Sequence, residues 1–140
     1  MIDYDKVPSR YMHCFNHGCP QCSSCLHYLA GQAADENHTI LLTLNPACYV
    51  NGGGCPHYRS NKKIRVAWGV QFLWDEIPHK KAIEMKAELI QTFGRTLYYR
   101  YFRNEIGILP AKQQVIRNLF MKNGIYENPH YEKYTEEYDW

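Results

Sequence analysis

Long hydrophobic runs are missing from this sequence. Nothing in it approaches the roughly 20 consecutive apolar residues of a membrane-spanning helix, and the longest largely apolar stretch, Ile40–Leu44 with a polar break at Thr43, has the length of a strand. Met1–Arg10 does not read as a secretory leader either, because it scatters its charges and has no apolar segment. The expectation is an intracellular, cytoplasmic protein with no membrane attachment. Net charge is slight, at +2, so the molecule as a whole does not announce a polyanion partner. No H-E-x-x-H, P-loop, G-x-G-x-x-G or G-x-S-x-G occurs, and no internal repeat or low-complexity linker breaks the chain. Evidence for an enzyme is therefore thin.

The charge that exists is unevenly placed. Residues 79–124 carry nine Lys/Arg against three acids, and residues 125–140 carry five acids against Lys133 alone. That predicts a basic helical middle followed by an acidic, Tyr-rich tail. The tail either folds back to neutralise its own domain or offers itself to a protein partner.

Punctuation divides the chain. Residues 1–60 are interrupted by Gly18, Pro20, Pro46, Gly52-Gly53-Gly54 and Pro56 and read as irregular, with a short helix around Cys25–Leu29 and a strand at Thr39–Leu44. Lys63–Ala67 is either a second strand or the start of a helix. From Pro78 helical spacing takes over. Ile83, Ala87, Ile90 and Phe93, joined by Ala82 and Leu89, make one apolar stripe, stopped at Gly94; a second helix spans roughly Thr96–Asn104. A third opens at Pro110, turns Val115, Ile116, Leu119 and Phe120 inward, and ends at Gly124. The tail from Pro129 is either a last short helix or an arm on the core.

Against this spare background the six cysteines are conspicuous: Cys14, Cys19, Cys22, Cys25, Cys48 and Cys55. Four fall within twelve residues, and two more return after the expected strand. A chain in a reducing compartment seldom uses clustered thiols for structural disulfides. Tetrahedral zinc takes four nitrogen or sulfur ligands, commonly as close pairs from separated knuckles. Zinc is thus the leading reading, with His13, His17, His27 and His57 as substitutes or supports. Gly52-Gly53-Gly54 is read as a turn between two ligands. Three alternatives stay open. Cys19-x2-Cys22-x2-Cys25 with Cys55-Pro56 echoes an iron–sulfur run, Cys19-Pro20-Gln21-Cys22 matches a thiol–disulfide redox motif, and cysteines can simply be small buried apolar residues.

The Phe93-Gly94 turn between two helices, with basic residues beyond it, has the order of a helix-turn-helix. In that arrangement Arg95, Tyr99, Arg100 and Arg103 would face double-stranded DNA, the arginines meeting phosphates or guanine edges. The bland alternative is a solvated amphipathic face.

Several strings taken together are fairly specific. They are Cys19-Pro20 with Cys25-Leu26, Asn45-Pro46-Ala47-Cys48, Cys55-Pro56-His57-Tyr58-Arg59, Phe93-Gly94-Arg95 with Tyr98-Tyr99-Arg100, Gln114–Phe120, and Tyr138-Asp139-Trp140. On these the chain resembles a small uncharacterised Bacteroidetes family, a domain of unknown function, over nearly its whole length. The resemblance implies that Cys14, Cys19, Cys25, Cys48 and Cys55 belong to the family pattern, and it implies no activity. Phe93–Asn104 is also similar to compact helix-turn-helix proteins of the same bacteria, with a turn about two residues shorter here.

The expected fold is mainly α, with α+β as the alternative. An irregular metal-stapled part, residues 1–60, has room for a two-stranded ribbon and precedes a three-helix region in residues 61–140, with both parts expected in one compact domain. The expected function is that of a zinc-stabilised DNA-binding regulator; the alternatives are an iron–sulfur or thiol redox protein and a protein-interaction adaptor.

Overall fold

The computed structural model describes residues 1–50, 52 and 54–140. The turn expected at Gly52-Gly53-Gly54 lies outside the described residues at Gly53. Four helices and a small two-stranded antiparallel sheet make the fold mainly α with α+β character, 38% helical, among the described residues. The elements are α1 (Leu26–Ala33), β1 (Lys63–Trp68), α2 (His79–Phe93), α3 (Arg95–Phe102), α4 (Pro110–Lys122) and β2 (Lys133–Tyr138), with short 3-10 turns at Tyr4–Lys6, Cys22–Ser24 and Pro46–Cys48. The chain divides into two compact units, Met1–Lys63 with Tyr138–Trp140, and Ile64–Glu137.

The second unit holds the apolar core. Met85 and Leu89 of α2, Tyr98 and Tyr101 of α3, and Ile116, Leu119 and Phe120 of α4 cluster with Ala67, Val70, Leu73 and Ile108. The helix ends fall at the expected breakers. Pro78 precedes α2, Gly94 closes it at φ 84°, and Pro110 starts α4. A positive φ is easy only for a residue without a Cβ. The phase of α2 differs from the expected stripe, however. Ile83 is 56% exposed while Met85 is 1% exposed, so the buried line runs Met85–Leu89 with Phe93 packed against it. Flexible Met fills the gap that the sequence pattern had assigned to a branched side chain.

The acidic tail is a strand and not a last helix. β2 pairs with β1, Glu132 donates its N–H to the Trp68 carbonyl at 2.9 Å, and the Trp68 indole donates to Thr135 Oγ1 at 2.8 Å. The Arg65 guanidinium lies 3.7 Å from the Tyr134 ring centroid, a cation–π contact. The ribbon expected from Thr39–Leu44 is instead built from Lys63–Trp68 and the tail.

In the first unit Thr39–Leu44 makes a single parallel bridge, His13 with Thr43. His13 N–H donates to the Leu42 carbonyl at 2.8 Å and Leu44 N–H donates to the His13 carbonyl at 2.9 Å, and the pairing extends no further among the described residues. Ile40 and Leu42 accordingly stay 91% and 57% exposed.

A cavity walled by cysteines

The buried apolar residues of the first unit are few: Ile2, Cys25, Leu26 and Ala30, beside the polar His13, Asn16 and His27. What it has instead is a cavity of about 30 Å³ whose walls include all six cysteines, with Asn16, His27, Tyr49 and Tyr58 among their neighbours. Three segments converge to build it. Cys22–Ser24 is a 3-10 turn and Cys25 is the cap of α1. The chain around Cys55 is fastened to that cap by the Cys25–Ser60 bridge and by Leu26 N–H donating to the Arg59 carbonyl at 2.7 Å. The Cys48 turn is capped by Asn45, whose side chain accepts from Ala47 N–H at 3.0 Å, and Tyr49 hydroxyl accepts from Phe15 N–H at 3.3 Å.

Cys14 enters from a strand-like segment laid against α1. Its carbonyl oxygen is 2.7 Å from where a Cβ on Gly31 would sit, so the close approach requires glycine at that position. The Cys14 thiol is pushed up from its ordinary range, chiefly by burial. A backbone hydrogen bond with Asn16 opposes this, and the neighbouring Cys25, Cys19 and Cys55 add to it. Cys25, Cys19 and Cys55 thus lie close enough to Cys14 for its thiol to feel their charge. Cys48, by contrast, is exposed.

Histidines divide by their hydrogen bonds. His13 Nδ1–H donates to the Leu42 carbonyl at 3.0 Å and its Nε2 accepts from Tyr4 hydroxyl at 2.8 Å, so both nitrogens are used. His17 shares Nδ1 with Tyr28 hydroxyl at 2.8 Å. His27 donates Nδ1–H to the Met12 carbonyl at 2.6 Å, and its burial holds it below the ordinary histidine range. A buried imidazole tied to a carbonyl through one nitrogen is the arrangement that supports or supplies a metal ligand through the other. The sequence groups His27 with three other histidines and gives no signal that singles it out.

All six thiols are free. Tetrahedral sulfurs at about 2.3 Å from zinc stand about 3.8 Å apart. Among the described residues, the one group of three ligand-type side chains whose donor atoms lie within 4.8 Å of one another is Glu76, Glu127 and His130, all exposed. The cysteines share a cavity and do not form a closed tetrahedron. In chemistry they fit a thiophilic ion: soft donors, a small space and a flanking imidazole.

The basic residues of α3 lie in the second unit. Arg95, Arg100 and Arg103 are exposed and Tyr99 is half-buried, packed against the core. Glu105 takes Arg103 at 2.6 Å and Arg100 at 3.4 Å, and these contacts, Arg103 first, hold its carboxyl below the ordinary range. Gly94 is the single residue between α2 and α3, whereas a helix-turn-helix uses roughly three to four.

A family described as a family of unknown function (DUF6078) matches the chain over residues 1–140. No curated protein matches, and no solved structure does.

Proposed function

We propose a function from the site alone, because the chain belongs to that family of unknown function over its whole given length and membership brings no activity with it. The six-cysteine cavity binds one zinc ion, held by Cys14, Cys19, Cys25 and Cys55, and the ion supplies the structural centre that the first unit otherwise lacks. The observation that carries this reading is the convergence of all six cysteines on one cavity in a unit with almost no apolar core. Domains below roughly 70–80 residues rarely stand on a single core and commonly add a metal or disulfides. Cys48, exposed on its own turn, and Cys22, which is absent from the groups felt by Cys14, are left outside the ligand set.

In such a centre zinc serves as a closed structural ion. The chain's own contribution is to bring two knuckles together through the Cys25–Ser60 bridge and to orient His27 through Met12. The test is metal analysis of anaerobically purified protein, with single serine replacements at each cysteine. About one zinc per chain is expected, lost in Cys14→Ser, Cys19→Ser, Cys25→Ser and Cys55→Ser and retained in Cys22→Ser and Cys48→Ser. Iron with equivalent sulfide and visible colour would replace zinc by an iron–sulfur centre. Protein free of metal would end the proposal.

A second reading concerns α3, where Arg95, Arg100 and Arg103 are all exposed. In it these arginines contact nucleic-acid phosphates, although Glu105 already pairs with two of them. Duplex affinity should fall with salt, with a slope that shrinks on Arg95→Ala and Arg103→Ala. A slope unchanged by both substitutions would remove this reading.

A further inference from the structure

Two large clefts of similar size open on the described residues, one in each unit, and their chemistry differs. The cleft of the second unit, about 620 Å³, carries Glu76, Glu127 and His130 on its walls with Lys81. The cleft of the first unit, about 630 Å³, carries Arg10, Arg59, His57 and the rings of Tyr11, Tyr58 and Trp140, with no acidic residue in its lining. Volumes of this order are those of small-molecule sites. Cations beside aromatic faces select a ligand that joins an anionic group to a flat ring system.

The walls of this cleft are fixed before any ligand arrives. Tyr58 and Arg59 sit where the chain is fastened to α1, through Leu26 N–H to the Arg59 carbonyl at 2.7 Å, and Tyr58 hydroxyl lies 3.1 Å from Ser24 Oγ. Tyr11 stacks on His27 with ring centroids 4.7 Å apart, and Trp140 lies T-shaped to Tyr11 with centroids 5.1 Å apart. Arg10 is one of two non-glycine residues described with a positive φ, at 63°, and such conformations gather where a binding site imposes them.

Both guanidiniums have capacity to spare. Arg10 has no ion-pair partner among the described residues, and Arg59 reaches Asp139 only at 3.9 Å with both side chains about half exposed. The Tyr11 hydroxyl is buried and has no hydrogen-bond partner among the described residues, a condition proteins rarely leave unexplained. We propose that this cleft is a binding site for a nucleoside monophosphate, with the phosphate on Arg10 and Arg59 and the base against the aromatic walls. The site adjoins the thiol cavity and shares His27, His57 and Tyr58 with it as common wall.

The experiment is calorimetric titration of the full-length protein with AMP, GMP, CMP and UMP singly, with the matching nucleosides and with inorganic phosphate. At least one nucleotide should bind tenfold or more tighter than both its nucleoside and phosphate. Arg10→Ala should weaken that nucleotide at least tenfold while leaving the far-UV circular dichroism unchanged, and Arg10→Lys should restore part of the loss. Metal content measured on the same samples separates damage to the cleft from damage to the thiol centre. Phosphate binding as tightly as every nucleotide would show that the rings contribute nothing. Nucleotide affinity equal in wild type, Arg10→Ala and Arg59→Gln would place the ligand elsewhere. Either outcome, or no binding at all, overturns the proposal.

Discussion

Gly31 illustrates how one missing methyl group can let a neighbouring strand-like segment approach a helix. Alanine is favoured over glycine inside a helix by about 1 kcal/mol, so Gly31→Ala would ordinarily stabilise α1. Here the added Cβ meets the Cys14 backbone oxygen at 2.7 Å, and backbone cannot swing aside as a side-chain tip can. Overpacking of this kind costs about 1–3 kcal/mol. The net expectation is a lower denaturant midpoint together with weaker metal retention, both read on the same sample. An unchanged midpoint would mean that Cys14 is not held against α1 as described.

Tyr131 offers the opposite sign. Its hydroxyl is buried without a partner among the described residues, and leaving such a group unsatisfied costs about 1–3 kcal/mol. Tyr131→Phe should therefore raise stability by about 1 kcal/mol in urea titrations. Burial first, then Tyr134, also pushes the Tyr131 phenol well above its ordinary 10.0, and burial pushes Tyr11 up to about 12. A phenol with a raised folded pKa stays protonated in the native state while the unfolded chain ionises. Its contribution is fully present below pH 10.0 and is lost as pH rises through the folded value. Unfolding midpoints should hold up to about pH 10 as far as these groups are concerned and then fall. The fall should be shallower in Tyr131→Phe. A base transition insensitive to that replacement would remove Tyr131 from the explanation.

At the scale of elements, what could be read in advance was what local chemistry decides. Pro78, Gly94, Pro110 and Gly124 mark helix ends because ring closure and the missing Cβ act within a turn or two of chain. Tertiary contacts decide the rest. Ile83 and Met85 are both plausible inward residues two positions apart, and only the neighbouring helices choose Met85. The pairing of Lys133–Tyr138 with Lys63–Trp68 spans too much sequence for alternation alone to announce it, and Thr39–Leu44 has strand composition without a continuous partner. The cysteines were visible as a cluster, while Arg10 and Arg59 share a cleft that no spacing rule connects.

The tail's strand character changes how a partner-binding role for it is tested. Removing residues 133–140 deletes β2, its Trp68–Thr135 hydrogen bond and the Arg65–Tyr134 contact. That truncation should lower thermal stability and so would confuse lost docking with lost folding. Point replacement separates the two. Arg65→Ala and Tyr134→Ala, taken in a double-mutant cycle, should show a coupling of about 0.5–1 kcal/mol at this exposed site. Coupling near zero would mean that the stacked geometry adds nothing in solution.

For the whole molecule, the uneven distribution of core residues is the governing fact. Every member of the apolar cluster lies between Ala67 and Phe120, within the unit Ile64–Glu137, and the other unit is organised around cysteines. The two should therefore answer differently to a chelator. Hydrogen exchange on the full chain, before and after metal removal, should show protection lost in Met1–Lys63 and kept in Ile64–Glu137. Equal protection with and without chelator would show that the first unit stands without an ion.

Tyr138–Trp140 belongs to the same unit as Met1–Lys63, and Trp140 packs T-shaped against Tyr11. On a ribosome that arrangement sets a timetable. All six thiols are made before Cys55 is passed, yet the ring that completes their unit is added only after the whole of Ile64–Glu137 has been synthesised. At the usual pace of about 5–20 residues per second the delay is several seconds. During it the cysteines stand in an unfinished unit, open to whichever ion or oxidant arrives first.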